Sequence, residues 1–109
     1  MSYSDLEKLL DEYNWDDGFE IATEILDNPY CDLALALKVI YLADGFAYLD
    51  GFAEKSELNE WKQFIHSLYN NILGNKYKES GRRYEIPLTK IQKYKFRKKQ
   101  IPEIFLTDL

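Results

Sequence analysis

The stretch DLALALKVIYLADGFAYL, Asp32 to Leu49, decides how the rest of the chain must be arranged. Between Leu33 and Leu49 only Lys38 and Asp44 carry charge. Its apolar residues fall on every side of a helical projection, the mark of a helix buried at the centre of a small domain. At about 1.5 Å per residue it spans roughly 26 Å, about the width of such a domain. It is too short and too interrupted to cross a bilayer, which takes about 20 mostly apolar residues. Asn28-Pro29 breaks the preceding segment, and Asp32 is placed to cap the new helix.

Working outward, 109 residues make one domain. With 46% apolar and 16% aromatic residues, disorder is excluded. Nine Tyr against six Phe place aromatic rings at a core rim or an interface, where the hydroxyl stays wet. Residues 3–13 read as a first helix, with Ser4 and Glu7 as a capping box and Leu6, Leu9, Leu10 and Tyr13 on one stripe. Asn14 to Gly18 is a turn, and a second helix runs to about Asp27 with Phe19, Ala22, Ile25 and Leu26 inward. A fourth segment opens at Lys55-Ser56-Glu57. Ser56 is its cap, and Leu58, Trp61, Ile65, Leu68 and Ile72 form a strong amphipathic stripe ending near Gly74. Residues 75–86 are a basic surface loop. Residues 88–100 suit a helix through Leu88, Ile91 and Tyr94; a strand there has no partner. Ile104, Phe105 and Leu106 follow Pro102 and dock on the core. The expected fold is all-α: a single compact domain of four to five helices around the apolar one.

The net charge is −5, but it is divided. Residues 1–75 hold 15 Asp+Glu and 4 Lys+Arg, a net −11; residues 76–109 hold 4 and 10, a net +6. Such a division governs partners and association rates, not the fold.

Chemistry is thinly represented. No phosphate-cradling glycine loop, zinc-ligand cluster or nucleophile elbow is present. The Asp17-Gly18-Phe19, Asp44-Gly45-Phe46 and Asp50-Gly51-Phe52 triplets do not satisfy the spacing of a calcium loop. No cofactor is expected. Cys31 is the one cysteine, so no intramolecular disulfide forms, and a buried structural thiol is expected. His66 stands alone beside an apolar stripe, more fitting for structure than catalysis. An enzyme would need a pocket around Asp44, Tyr48 or His66. The N-terminal stretch has neither a basic nor an apolar leader region, so a cytoplasmic location is expected.

Two binding readings remain. Asp11, Glu12, Asp16, Asp17, Glu20 and Glu24 cluster on successive segments and add little to a core. They suit a basic protein partner, whose encounter such a field would speed. Part of that acidity has a plain cause, since negative charge near a helix start is stabilising. Alternatively, Arg82, Arg83, Lys93, Lys95, Arg97 and Lys98, interleaved with Tyr94 and Phe96, suit phosphates and bases. The acidic body opposes that use, and the basic tail equally fits folding back on the acidic body.

At Asn14-Trp15-Asp16-Asp17-Gly18-Phe19, Asn28-Pro29-Tyr30-Cys31-Asp32 and Ala43-Asp44-Gly45, the chain resembles a small bacterial family of unassigned function. The likeness covers roughly residues 13–49. Members of that family resemble immunity proteins, cytoplasmic antidotes to toxins delivered between neighbouring bacteria. The resemblance implies a non-enzymatic protein that binds and neutralises a cognate toxin domain, possible targets including a nuclease with its positive groove. It carries over no binding residue, because Trp15, Gly18, Pro29 and Cys31 read as packing, turn and linker.

Overall fold

A computed structural model describes residues 2–51 and 59–109. Six α-helices occur among them: α1 (Tyr3–Asp11), α2 (Glu20–Asp27), α3 (Leu33–Leu42), α4 (Gly45–Leu49), α5 (Asn59–Leu73) and α6 (Lys90–Lys98). Short 3-10 turns lie at Trp15–Asp17 and Glu103–Phe105. No strand occurs among the described residues, and none of their helices is long and apolar enough to cross a membrane. The all-α fold is as expected, and the radius of gyration of 13.6 Å is close to the roughly 13 Å of a compact chain this long.

The apolar stretch is the centre of the molecule. Leu33 to Leu37, Val39 and Ile40 are all buried. Asp32 starts α3 as expected, its carboxylate accepting the Leu35 amide at 2.9 Å. α3 packs chiefly on α5, whose Trp61, Ile65, Leu68 and Ile72 form the expected stripe. The expected cap at Ser56 and the first apolar position, Leu58, lie outside the described residues.

The single helix expected over 33–49 is in fact two. α3 stops at Leu42, Asp44 takes a left-handed conformation (φ 68°, ψ 42°), and α4 leaves in a new direction. Gly45 follows because a Cβ there would lie 2.6 Å from the Ile40 carbonyl oxygen. Glycine is required by that close approach, while the positive φ falls on Asp44, a residue type that tolerates it. Asp44 is therefore exposed at a corner, not buried in a helix. The carbonyl freed at Ala43 accepts the Trp61 indole N–H at 2.7 Å, which ties the break to α5.

Other helix ends differ in detail. α1 begins with a capping box formed by Ser2 and Asp5, not Ser4 and Glu7, and it ends at Asp11, not Tyr13. Gly18 (φ 92°) supplies the reversal before α2. α5 ends at Leu73, beside Gly74 as expected, and the left-handed residue that closes it is Asn75 (φ 60°). The Lys76 amide reaches the Asn71 carbonyl at 3.0 Å and the Asn75 amide reaches that of Ile72 at 3.2 Å.

α6 is a helix, as expected, opened by a capping box between Thr89 and Gln92. Its rotation is set by Phe96. Phe96 is buried, with its ring 5.5 Å from that of Phe46. Ile91 and Tyr94 are 69% and 58% exposed. At 100° per residue both lie nearly opposite Phe96, so burying the one large ring turns them out. Phe105 and Leu106 dock as expected and are fully buried. Tyr69 stacks on Phe105 at 4.7 Å, and the Tyr41 hydroxyl donates to the Phe105 carbonyl. The basic loop lies on the surface except for Tyr77 and Ile86, which enter the core, and Tyr84, which packs half-buried against it.

Candidate functional site

The acidic residues singled out in the sequence are all exposed. Asp11 and Glu12 end α1, Asp16 and Asp17 stand in the 3-10 turn, and Glu20 and Glu24 lie one turn apart on α2. The turn itself is local chemistry: the Asn14 side-chain oxygen accepts the Asp16 amide at 3.1 Å. Asp11 is drawn to Lys38 at 2.8 Å. The other five meet no cation within ion-pair distance among the described residues.

An aromatic series runs beside these carboxylates. Tyr13 meets Trp15 edge-on at 4.9 Å, Trp15 meets Phe19 at 6.3 Å, and Phe19 stacks on Phe64 of α5 at 4.6 Å. Burial and then the charges of Asp17 and Glu20 push the Tyr13 hydroxyl above its ordinary pKa, so it stays a neutral group beside the acids. Phe19 is the shared wall of two depressions. One, of about 520 Å³, lies between α2 and α5 and takes in Glu20, Asp27, Glu60 and Phe64. The other, of about 400 Å³, takes in Trp15, Asp16, Leu42, Asp44 and Trp61. The structure thus gathers Asp16 with Asp44, and Glu20 with Asp27 and Glu60, around one aromatic ridge. Asp27, Glu60 and Phe64 were not among the sequence candidates. Their signal was the aromatic position Phe64 on the broad face of α5, which points toward α2 only once the helices pack.

The basic candidates are largely engaged inside the molecule. Arg82 lies 3.6 Å over the Tyr3 ring and 3.5 Å from the Asp32 carboxylate, which also accepts the Ser80 hydroxyl. Arg97 makes two hydrogen bonds to Glu103, at 2.8 and 3.3 Å, which raise the pKa of the guanidinium and lower that of the carboxyl. Lys93 reaches Asp108 at 3.5 Å. Lys98 lies over the Tyr94 ring at 4.9 Å. Arg83 and Lys95 are exposed without an ion pair among the described residues.

Of the residues considered for catalysis, Tyr48 and His66 meet, and the Asp44 carboxylate hydrogen-bonds to neither among the described residues. Asp44 lines the Trp15 depression, while the Tyr48 hydroxyl meets His66 Nδ1 at 2.9 Å and Asn70 meets His66 Nε2 at 3.1 Å. Cys31 is half-buried, less enclosed than expected. Burial, with help from Asp32, pushes its thiol up to about 12, so it is no thiolate near neutrality. Among the described residues no three His, Cys, Asp or Glu side chains converge as metal ligands.

A small all-α domain with an acidic, aromatic-backed face is the class that fold and surface define. The chain belongs to a family of domains of unknown function (DUF4274), which matches it over residues 3–73, from α1 through α5. Neither a curated protein nor a solved structure matches it.

Proposed function

We propose that this protein is a cytoplasmic immunity protein that neutralises a cognate bacterial toxin domain by binding, without catalysis of its own. The observation that carries this reading is the state of the acidic face. Glu12, Asp16, Asp17, Glu20 and Glu24 form no ion pair among the described residues and lie beside an apolar ridge at Trp15 and Phe19. Unpaired carboxylates around an aromatic ridge suit a basic protein surface, because complementary fields accelerate encounter and buried rings slow release. A toxin that acts on nucleic acid offers such a surface, since its substrate groove must be positive. The resemblance over residues 13–49 supports the same reading.

The test is capture of partners by the tagged chain from its source cells at low and moderate salt, with partners identified by mass spectrometry. A stoichiometric basic toxin domain is expected, lost when Asp16, Asp17 and Glu20 are changed together to lysine. Capture unchanged by that triple reversal would sink the acidic-face reading. Nucleic acid recovered without protein, and lost at moderate salt, would replace it with binding through the basic segment.

A further inference from the structure

We infer that the depression between the first 3-10 turn and the α3–α4 corner is a receptor for a guanidinium group, the end of an arginine side chain on the partner's surface. The inference rests on the reading of this face as a partner surface, and its test is chosen so that the two can fail separately. The depression has a volume of about 400 Å³, and Trp15, Phe19, Leu42 and Trp61 line it together with Asp16 and Asp44. The Trp15 and Phe19 rings stand 6.3 Å apart with their planes at 62°, so they make two walls and not one flat patch. Tyr13 braces Trp15 and Phe64 braces Phe19, so neither wall needs a ligand to hold it. The break in the chain at Asp44 is what brings a second carboxylate to the turn.

Charge selects the occupant. Among the described residues no Lys or Arg lines the depression, and its charged groups are both acidic. Asp16 and Asp44 are exposed and make no ion pair among the described residues. An anion is repelled there. A purely apolar side chain would cover two carboxylates and leave them unpaired, which is costly. A cation is drawn to the carboxylates and also to the ring faces, which carry the negative lobe of the aromatic quadrupole. A metal ion lacks its ligands, because no three His, Cys, Asp or Glu side chains converge among the described residues. Of the organic cations a guanidinium uses the most of this site. It is flat and weakly hydrated, stacks on an aromatic face, and still offers N–H groups along its edge to a carboxylate. An ammonium is a strongly hydrated point charge and uses the rings less.

The test is an NMR titration of the isotope-labelled full chain, with no toxin present. The chain has two tryptophans and both line the depression, so their indole N–H signals report on it directly. The probes are N-acetyl-arginine amide, its lysine analogue and its citrulline analogue, which keeps the shape of arginine without the charge. Saturable shifts of the Trp15 and Trp61 indole signals by the arginine probe are expected at millimolar concentration, with the citrulline probe at least about tenfold weaker. Asp44→Asn suits the same left-handed corner and should weaken the arginine probe several-fold while leaving the remaining spectrum in place. Unmoved indole signals, or equal binding of the citrulline and arginine probes, would overturn the inference. Tighter binding of the lysine probe would overturn the choice of a guanidinium. Unmoved indoles in a chain that still captures a basic toxin domain would remove this receptor and keep the acidic-face reading. Arginine-probe binding in a chain that captures no basic partner would uphold the receptor and overturn the partner as the source of its occupant.

Discussion

The Trp61 indole N–H donates to the Ala43 carbonyl at 2.7 Å, so α5 holds the end of α3 through a polar contact. The carbonyl stands where α3 has stopped and the chain has turned away. Trp61→Phe keeps most of the ring and removes the donor. An unfolding free energy lower by about 1–2 kcal/mol is expected, because the acceptor is left in a buried setting. Urea denaturation measures it, and an unchanged midpoint would show that Ala43 finds another donor.

Asp44 and Gly45 divide between them two demands that sequence alone assigns to one residue. Gly45→Ala places a methyl group 2.6 Å from the Ile40 carbonyl oxygen and should cost about 1–3 kcal/mol. Asp44→Gly relieves a left-handed residue at an exposed corner and should be neutral to stabilising, by up to about 1 kcal/mol. Thermal melts of the two variants should move in opposite directions or leave Asp44→Gly unmoved. A destabilised Asp44→Gly would point to a role for the carboxylate itself.

Asp32 is only 5% exposed and serves two segments at once. It caps α3 and holds the basic loop through Ser80 and Arg82, while the Leu33 amide reaches the Lys78 carbonyl at 2.9 Å. Loss of the cap in Asp32→Ala should cost about 1–2 kcal/mol. Hydrogen exchange at residues 78–82 should quicken at the same time. Exchange there at the native rate would separate the cap from the loop.

Alkali should unfold the protein before acid chemistry does. Burial raises the hydroxyls of Tyr3, Tyr77 and Tyr84 from 10.0 to about 12, and the Cys31 thiol from 9.0 to about 12. These groups keep their protons in the folded state after the unfolded chain has lost them. The unfolded state then binds fewer protons, and stability falls as pH rises from about 9 toward 12. On the acid side, Asp5 and Glu103 are held below their ordinary values by hydrogen bonds to Ser2 and to Arg97 and Thr107. Their contribution is present above the unfolded values of 3.8 and 4.5 and fades below them. Both groups are fully exposed, so the acid limb should be shallow. Tyrosinate absorbance recorded with circular dichroism across the alkaline range should show ionisation and unfolding together. Ionisation of Tyr3, Tyr77 or Tyr84 near 10 in the folded protein would contradict it.

Features set by neighbours in the chain were readable in advance. Asp32 caps its helix, and the Trp61–Ile72 stripe faces the core, because spacing alone determines both. The division at Asp44 was not readable, since Asp-Gly suggests a left-handed glycine and only the approach of Ile40 reverses the roles. The inward face of α6 was not readable, because Leu88, Ile91 and Tyr94 repeat at helical spacing and Phe96 stands apart from them. The ring that matters, Phe96, is chosen by Phe46, fifty positions earlier. The acidic face was visible as composition, but its aromatic ridge depends on Phe19 meeting Phe64 across two helices. The basic tail's pairing with Asp32 and Asp50 joins residues about fifty apart, beyond any local pattern.

Phe105 and Leu106 lie fully buried against the middle of a molecule whose other core residues all precede them. A ribosome delivers those earlier residues first, at roughly 5–20 per second. Throughout that interval the hollow beside Tyr41 and Tyr69 stays uncovered. The newborn chain therefore passes through a sticky phase that ends only when its closing plug emerges.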